Sequence, residues 1–142
     1  MNRTGPIIII EDDIDDQQMF EHVIKELNPP NELMFFEDGQ CALEYLTDND
    51  TVEPFIIFSD INMPRLNGIQ LRHKIQENED LRLKSIPFLF FSTSADQNHV
   101  IDAYSKSVQG FFIKPSSITE LKDTISTILG YWLKCVSPNY IK

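Results

Sequence analysis

The sequence predicts an α/β fold, in which a parallel sheet of five strands carries helices on both faces as a doubly wound (βα)5 sandwich. Short apolar runs alternate with amphipathic stretches five times along the chain. The runs are continuous rather than alternating between apolar and polar residues, which is typical of parallel strands buried on both faces. Five apolar strands that alternate with five helices indicate βαβ units, and therefore a parallel sheet.

The first half of the chain contains three predicted strands and two predicted helices. Ile7–Ile10 is β-branched throughout and predicts a buried strand. Apolar residues then recur every three or four positions, which predicts a helix. That helix ends at Asn28-Pro29-Pro30, because proline lacks a backbone donor. Leu33–Phe36 is the second strand, Asp38-Gly39 opens a short helix, and Phe55–Phe58 is the third strand.

The second half of the chain adds two predicted strands and three predicted helices. The segment from Asn67 to about Gln76 has a helical pattern, and Phe88–Phe91 is the fourth strand. A helix from about Gln97 to Ser105 and a fifth strand, Phe111–Ile113, follow. The last helix runs from Ser117 to about Leu133 and begins with the spacing of a capping box.

Length and charge exclude several classes of protein. At 142 residues the chain has the length of one domain. Its net charge of −10, without clustered Lys or Arg, argues against direct binding of nucleic acid. No apolar run approaches the ~20 residues of a membrane span, so membrane insertion is not expected. Cys41 and Cys135 lack metal-ligand spacing, which indicates free thiols in a reducing cytoplasm.

Polar side chains follow four of the five predicted strands, at the point where each strand ends. Glu11 and Asp12 come after the first strand, and Asp60 comes after the third. Ser92 follows the fourth strand and Lys114 follows the fifth. Open α/β sheets bind their ligands beyond the carboxyl ends of the strands. We therefore expect these five side chains to meet at one edge of the sheet.

Three carboxylates at one edge need a proton, a cation or a raised pKa to coexist. Two carboxylates ~5 Å apart at an effective dielectric of ~20 repel each other by about 3 kcal/mol. An all-oxygen set of ligands suits magnesium or manganese rather than zinc. A carboxylate can also act as a nucleophile and form an acyl phosphate. The ammonium group of Lys114 and the hydroxyl of Ser92 could then contact phosphoryl oxygens.

These residues resemble the receiver domains of two-component response regulators. Four segments match the signatures of that family in order: Ile7–Asp13, Asp60–Gly68, Ser92 and Lys114-Pro115. The run Asp60-Ile61-Asn62-Met63-Pro64 is the most specific of them. The resemblance implies a flavodoxin-like fold with strand order 2-1-3-4-5. It also implies a single receiver domain over residues 1–142, with a core of about 6–133 and a C-terminal tail at 134–142.

The resemblance assigns a role to each residue of the site. Asp60 is the implied phosphoacceptor. The implied magnesium ligands, which manganese could also use, are Glu11, Asp12, Asp60 and the backbone carbonyl of Asn62. Lys114 contacts the phosphoryl group in this comparison and precedes a cis proline at Pro115. The implied switch residues are Ser92, which senses the phosphoryl group, and Phe111, an aromatic residue that moves inward with it.

The implied function is a bacterial, cytoplasmic phosphorelay switch rather than an enzyme, with weak autophosphatase activity. A histidine kinase or a histidine phosphotransfer protein donates the phosphoryl group. With no output domain, the chain is expected to act on a downstream protein through its fourth helix, fifth strand and fifth helix. We also hypothesise that apolar residues near the C-terminus extend this surface for a partner or a homodimer, the alternative being packing on their own sheet; these are Tyr131, Trp132, Leu133, Val136, Tyr140 and Ile141.

Three positions depart from the family pattern. Thr93 stands where alanine is usual and could slow access of a phosphoryl donor. Ser107 stands where a glycine commonly ends the fourth helix, and serine has a steric cost at positive φ. Phe111 replaces a tyrosine and cannot hydrogen-bond through its ring. None of these changes removes a residue expected to carry chemistry.

Two other classes of protein share part of this pattern. A haloacid-dehalogenase-like phosphatase also uses an aspartate at a strand end and magnesium, but it needs a second aspartate two residues later. Asn62 occupies that position here and cannot donate an acidic proton. A flavodoxin-like FMN binder needs a phosphate loop after the first strand, where this chain has carboxylates that would repel phosphate.

Overall fold

The computed structural model describes residues 1–49, 51–93 and 96–137, and it contains five strands and six helices within them. No described helix combines the length and the apolar content that a membrane crossing demands. The elements in chain order are β1 Ile7–Ile10, α1 Ile14–Leu27, β2 Leu33–Phe36, α2 Gly39–Asp48, β3 Ile56–Ser59, α3 Gly68–Glu77, α4 Glu79–Leu83, β4 Phe88–Ser92, α5 Gln97–Ser105, β5 Gly110–Ile113 and α6 Ile118–Lys134.

All five strands pair in parallel, in the order β2-β1-β3-β4-β5. The order implied by the family resemblance is therefore confirmed. In the register of the sheet, Ile10 lies beside Phe36 on one side and beside Ser59 on the other. The residues that follow β1 and β3 consequently leave the sheet next to each other.

Helices cover both faces of the sheet, as the continuous apolar strands predict. Ile8 and Ile10 point to one face, where they pack with the buried residues of α2, α3, α4 and α5. Ile7 and Ile9 point to the other face, against α1 and α6. This second core is rich in aromatic rings: Phe20 and Phe91 make an edge-to-face contact with centroids 5.3 Å apart. All four isoleucines are at most 1% exposed, so each contributes about 1.5–3 kcal/mol by burial.

The expectation of five helices is wrong, because a short helix, α4, lies between α3 and β4. Asn78 ends α3 with an extended backbone conformation and then caps α4, where its side chain accepts a hydrogen bond from the Leu81 backbone N–H at 3.1 Å. Leu81 is the one buried residue of this five-residue helix. A single apolar position cannot produce a detectable helical period. The predicted fourth and fifth helices are thus α5 and α6.

Ser107, just after α5, adopts the left-handed conformation that its position predicts, with φ of 60°. The turn is held by Arg72 of α3, a buried side chain that crosses to the end of α5. Its Nε donates to the Lys106 carbonyl at 3.1 Å and its Nη2 donates to the Ser107 carbonyl at 2.9 Å. Its guanidinium also lies over the Phe88 ring, 5.4 Å from the centroid. The contacts from Arg72 therefore hold Ser107 in a left-handed conformation that glycine adopts at a lower cost.

The Ser107→Gly substitution should raise the free energy of unfolding by about 1 kcal/mol, because it removes the steric cost of a side chain at positive φ. The hydrogen bonds from Arg72 reach backbone carbonyls and are retained. Urea unfolding followed by circular dichroism measures the change. The matched control is Ser126→Gly inside α6, which should instead lose about 0.5–1 kcal/mol. Equal effects of the two substitutions would contradict this account of the turn.

Candidate functional site

The carboxyl ends of β1 and β3 place three predicted site residues together. The backbone N–H of Glu11 donates to the Phe36 carbonyl at 2.9 Å, and that of Asp60 donates to the Ile10 carbonyl at 2.9 Å. These bonds continue the parallel ladder one residue beyond each strand. As a result, carboxylate oxygens of Glu11, Asp12 and Asp60 all lie within 4.8 Å of one another.

This carboxylate cluster fits a divalent cation. It offers three oxygen ligands from separate side chains, and oxygen ligands are what magnesium and manganese prefer. Glu11 is buried, Asp12 is exposed and the Asp60 side chain is 11% exposed. The cluster therefore opens to solvent on the Asp12 side, where a cation could enter and keep some of its waters.

Lys114 enters the same edge from the end of β5. Its backbone N–H donates to the Ser92 carbonyl at 2.7 Å, which fixes the lysine beside the end of β4. Its Nζ lies 2.5 Å from Glu11 Oε1 and 3.5 Å from Asp60 Oδ2. Nζ also donates to Asp16 Oδ2 at 2.8 Å. Glu11, Asp60 and Lys114 are therefore brought together as the sequence predicts.

Burial and neighbouring charges shift the pKa values of Glu11 and Lys114 in this site. Burial has the largest influence on Glu11 and raises its pKa, and repulsion from Asp60 acts in the same direction. The hydrogen bond from Lys114 favours the ionised form of Glu11 and opposes both. Burial also disfavours the charge on Lys114, but its hydrogen bonds to Asp16 and Glu11 outweigh that effect and raise its pKa. Lys114 is consequently an ammonium group at neutral pH.

The Asp60 carboxylate is held in one orientation by its own loop. Its Oδ1 accepts a hydrogen bond from the Ile61 backbone N–H at 2.8 Å, while Oδ2 faces Lys114. The Ile61 carbonyl in turn accepts from the Gly68 backbone N–H at 2.8 Å. A Cβ atom at Gly68 would lie 2.3 Å from the Asp60 carbonyl oxygen. Only a glycine at the start of α3 allows this close packing against the loop.

The other predicted site residues lie near this edge, and their roles stay predictions. Ser92 is buried at the end of β4, and Thr93 after it is exposed. Asn62 is exposed in the loop that follows β3. Phe111 is half-buried in β5, with its ring 6.1 Å from that of Phe90.

The predicted cis peptide bond before Pro115 is not found. Within the described residues no peptide bond is cis, so Lys114–Pro115 is trans. The trans form is the ordinary state of this bond and is favoured by about 0.5–1 kcal/mol even before proline. The contacts of Lys114 described above are formed with this trans bond.

Sequence reasoning missed the contact between Asp16 and Lys114. Asp16 lies in the first turn of α1, where its Oδ2 contacts the lysine from outside the carboxylate cluster. Acidic residues are expected in this turn because they complement the helix dipole. The spacing alone therefore could not distinguish Asp16 from its neighbours.

A second missed contact joins α2 to the loop after Asp60. Arg65 Nε donates to Asp38 Oδ2 at 3.0 Å and Nη2 donates to Oδ1 at 3.1 Å. Asp38 also caps α2 by accepting from the Cys41 backbone N–H at 2.8 Å. Burial would raise the pKa of Asp38, but the hydrogen bonds from Arg65 and Cys41 outweigh burial and lower this pKa. The loop between Asp60 and α3 is thus anchored at Asp60 by β1 and at Arg65 by Asp38.

Comparison with known proteins gives one consistent result. The family model described as the response regulator receiver domain matches residues 7–126. The chain is 28% identical to the response regulator Rcp1 of Synechocystis sp. over 135 residues, which cover 92% of this chain and 90% of that protein. It is also 28% identical to the chemotaxis protein CheY-3 of Vibrio cholerae over 128 residues, which cover 90% and 94%.

Solved structures show the same fold. The phosphorylated cyanobacterial phytochrome response regulator RcpA matches with a TM-score of 0.85 and 23% identity, covering 95% of this chain and 99% of that one. The Mn(2+)-bound form of response regulator Rcp1 matches with a TM-score of 0.79 and 27% identity, covering 94% and 97%. The sheet and its helices therefore superpose on these proteins along nearly their whole length.

Proposed function

This chain belongs to the receiver domains of two-component response regulators, and on that premise we propose that Asp60 is its phosphoacceptor. Receiver domains are signalling domains and generally not enzymes. The observation that carries the proposal is the position of Asp60 Oδ2, which lies 3.5 Å from Lys114 Nζ within the carboxylate cluster. A nucleophilic carboxylate and a fixed positive charge are what transfer of a phosphoryl group requires.

In the proposed reaction, Asp60 Oδ2 attacks the phosphorus atom of a phosphohistidine on the donor protein. The new bond joins Oδ2 to phosphorus, and the phosphorus–nitrogen bond breaks with its electron pair returning to the imidazole. Lys114 provides an N–H donor for an oxygen of the transferred group. Ser92, at the end of the neighbouring strand, provides a hydroxyl. Weak autophosphatase activity would follow from slow attack of water on the acyl phosphate of Asp60.

The proposed metal site consists of Glu11, Asp12, Asp60 and the backbone carbonyl of Asn62. Magnesium is the proposed ion and manganese its substitute, because every ligand is an oxygen atom. The bound ion would supply positive charge against the oxygens of the phosphoryl group. The cluster of three carboxylates within 4.8 Å supports this assignment.

The proposed phosphoryl donor is a histidine kinase or a histidine phosphotransfer protein, and the proposed target binds the face formed by α5, β5 and α6. Ile101 and Tyr104 of α5 and Ile113 of β5 are all more than half exposed on these elements. Phe111, half-buried in the same strand, and Ser92 would link this face to Asp60. Exposed apolar side chains of this size favour contact with another protein.

We further propose that residues 1–142 act as one cytoplasmic receiver domain with a tail from residue 134. The free thiols of Cys41 and Cys135 fit a reducing compartment. Near the tail, Trp132 is half-buried against the hydrophobic core, while Tyr131, Leu133 and Val136 are exposed. The remaining residues of the hypothesised C-terminal surface, Tyr140 and Ile141, lie outside the described part of the chain. A homodimer would use the exposed members of this set.

The alternative of a haloacid-dehalogenase-like phosphatase has no support. The position two residues after Asp60 is Asn62, which cannot serve as the general acid that such an enzyme needs.

Incubation with acetyl phosphate and magnesium tests the proposed function. We expect intact mass spectrometry to detect an adduct of about 80 Da, the mass of one phosphoryl group. The adduct should be absent when a chelator removes the metal. Reduction with borohydride and peptide mapping should then locate it at Asp60. A chain that stays unmodified with magnesium, or that carries the group on another residue, would overturn the assignment.

A further inference from the structure

Lys114 contacts a carboxylate that a metal ion would need. Its Nζ lies 2.5 Å from Glu11 Oε1, and Glu11 belongs to the carboxylate cluster with Asp12 and Asp60. An ammonium group and a divalent cation repel each other strongly when both contact the same carboxylate. Binding of a cation must therefore weaken the contact between Glu11 and Lys114.

Lys114 is too deeply placed to lose its counterion without cost. Its side chain is only 11% exposed, so water cannot replace the carboxylate that it gives up. Asp60 Oδ2 lies 3.5 Å away, but Asp60 is itself in the cluster that the cation would use. Another anion is needed to hold Lys114 in place.

Asp16 supplies that anion from α1. Its Oδ2 lies 2.8 Å from Lys114 Nζ, and it does not belong to the carboxylate cluster. An ammonium group has three N–H donors, so Lys114 can contact Glu11 and Asp16 at the same time. Of the carboxylates within 4.0 Å of Nζ in the described residues, Asp16 alone remains available when Glu11 and Asp60 bind a cation.

We propose that Asp16 is a positioning residue. It keeps Lys114 in place when Glu11 binds a divalent cation, and its presence therefore strengthens metal binding. This inference rests on the proposed metal site. Without Asp16, the lysine depends on Glu11 and Asp60 alone, and the cation must remove both of its partners. Because Asp16 neutralises Lys114, Glu11 and Asp60 are free to bind the metal.

Manganese binding, followed by the electron paramagnetic resonance signal of the free ion, tests the proposal. Asp16→Asn should raise the Kd for Mn2+ about tenfold, the effect of losing an outer partner of a metal site. The matched control is Asp15→Asn, which removes the same charge from the preceding residue of α1. Asp15 is exposed and is not among the carboxylates that contact Lys114. Screening by solvent should limit its effect to about twofold.

A double-mutant cycle shows whether the effect passes through Lys114. Lys114→Met removes the competing ammonium and should bind Mn2+ more tightly than the wild-type chain. On that background, Asp16→Asn should weaken binding no more than Asp15→Asn does. Asp16→Glu keeps a carboxylate near Lys114 and should restore most of the wild-type affinity. Since Asp16 is 31% exposed, the Asp16 variants should fold, and circular dichroism verifies folding for every variant, Lys114→Met included.

The outcomes separate this inference from the proposed function. A wild-type chain that does not bind Mn2+ would contradict the metal site itself. Normal wild-type binding, with Asp16→Asn no weaker than Asp15→Asn, would overturn the role of Asp16 alone. An undiminished effect of Asp16→Asn on the Lys114→Met background would also overturn it, because the lysine would then not be the intermediary.

Discussion

The Asp60→Asn protein should take up no detectable phosphoryl group from acetyl phosphate and magnesium, a loss on the order of a thousandfold or more in rate. An amide oxygen carries no full negative charge and cannot form the acyl phosphate. The substitution changes the Oδ2 atom that faces Lys114 at 3.5 Å, and it leaves the remaining carboxylates in place. Intact mass spectrometry over a time course measures the loss.

The control for this prediction is Asp15→Asn, which makes the same chemical change on an exposed residue of α1. It should be phosphorylated like the wild-type chain. Asp60→Asn should also remain folded, because removing one of three clustered carboxylates relieves repulsion. A folded Asp60→Asn chain that still gains the adduct at the wild-type rate would show that another residue accepts the group.

The Gly68→Ala substitution should lower the free energy of unfolding by about 3 kcal/mol. Its Cβ atom would lie 2.3 Å from the Asp60 carbonyl oxygen and 2.6 Å from Cε1 of Phe90. Both distances are far inside normal van der Waals contact, so α3 or the loop after β3 must move. Such a movement would also displace Asp60 and slow phosphorylation. Urea unfolding measures the first effect, and mass spectrometry measures the second.

Gly130→Ala provides the matched control. Gly130 lies inside α6, and a Cβ atom there would meet nothing within 4 Å. Alanine has the higher helix propensity, so this variant should gain about 0.5–1 kcal/mol in stability. If Gly68→Ala gained stability in the same way, α3 would not pack on the backbone of Asp60 as the structure has it.

Strand positions and the main site residues could be predicted because their pattern is local. Each strand is a continuous apolar run, and all five predicted runs fall within one residue of the observed bounds. Parallel strands also place their carboxyl ends at one edge, which is why Glu11, Asp60 and Lys114 were expected to meet. The strand order did not follow from the pattern and came from the family resemblance.

The features that escaped prediction depend on distant side chains. Whether Asp16 reaches Lys114 depends on where the tertiary fold places the first turn of α1 relative to the end of β5, which no local period specifies. The same holds for Arg65, whose partner Asp38 lies 27 residues earlier in the chain. Helix α4 escaped because five residues with one buried position are too short for a period to be detected.

The ion pairs of Lys114 also bear on when this protein can fold. Small zinc domains remain unfolded until a metal ion arrives, because nothing in their own sequence holds the ligands together. In this protein the ammonium group of Lys114 supplies a positive charge, which contacts Glu11 and Asp16 and lies 3.5 Å from Asp60. The folded state therefore does not wait for the metal. If magnesium binds as proposed, its concentration would affect phosphorylation of the protein and not the fraction of the protein that is folded.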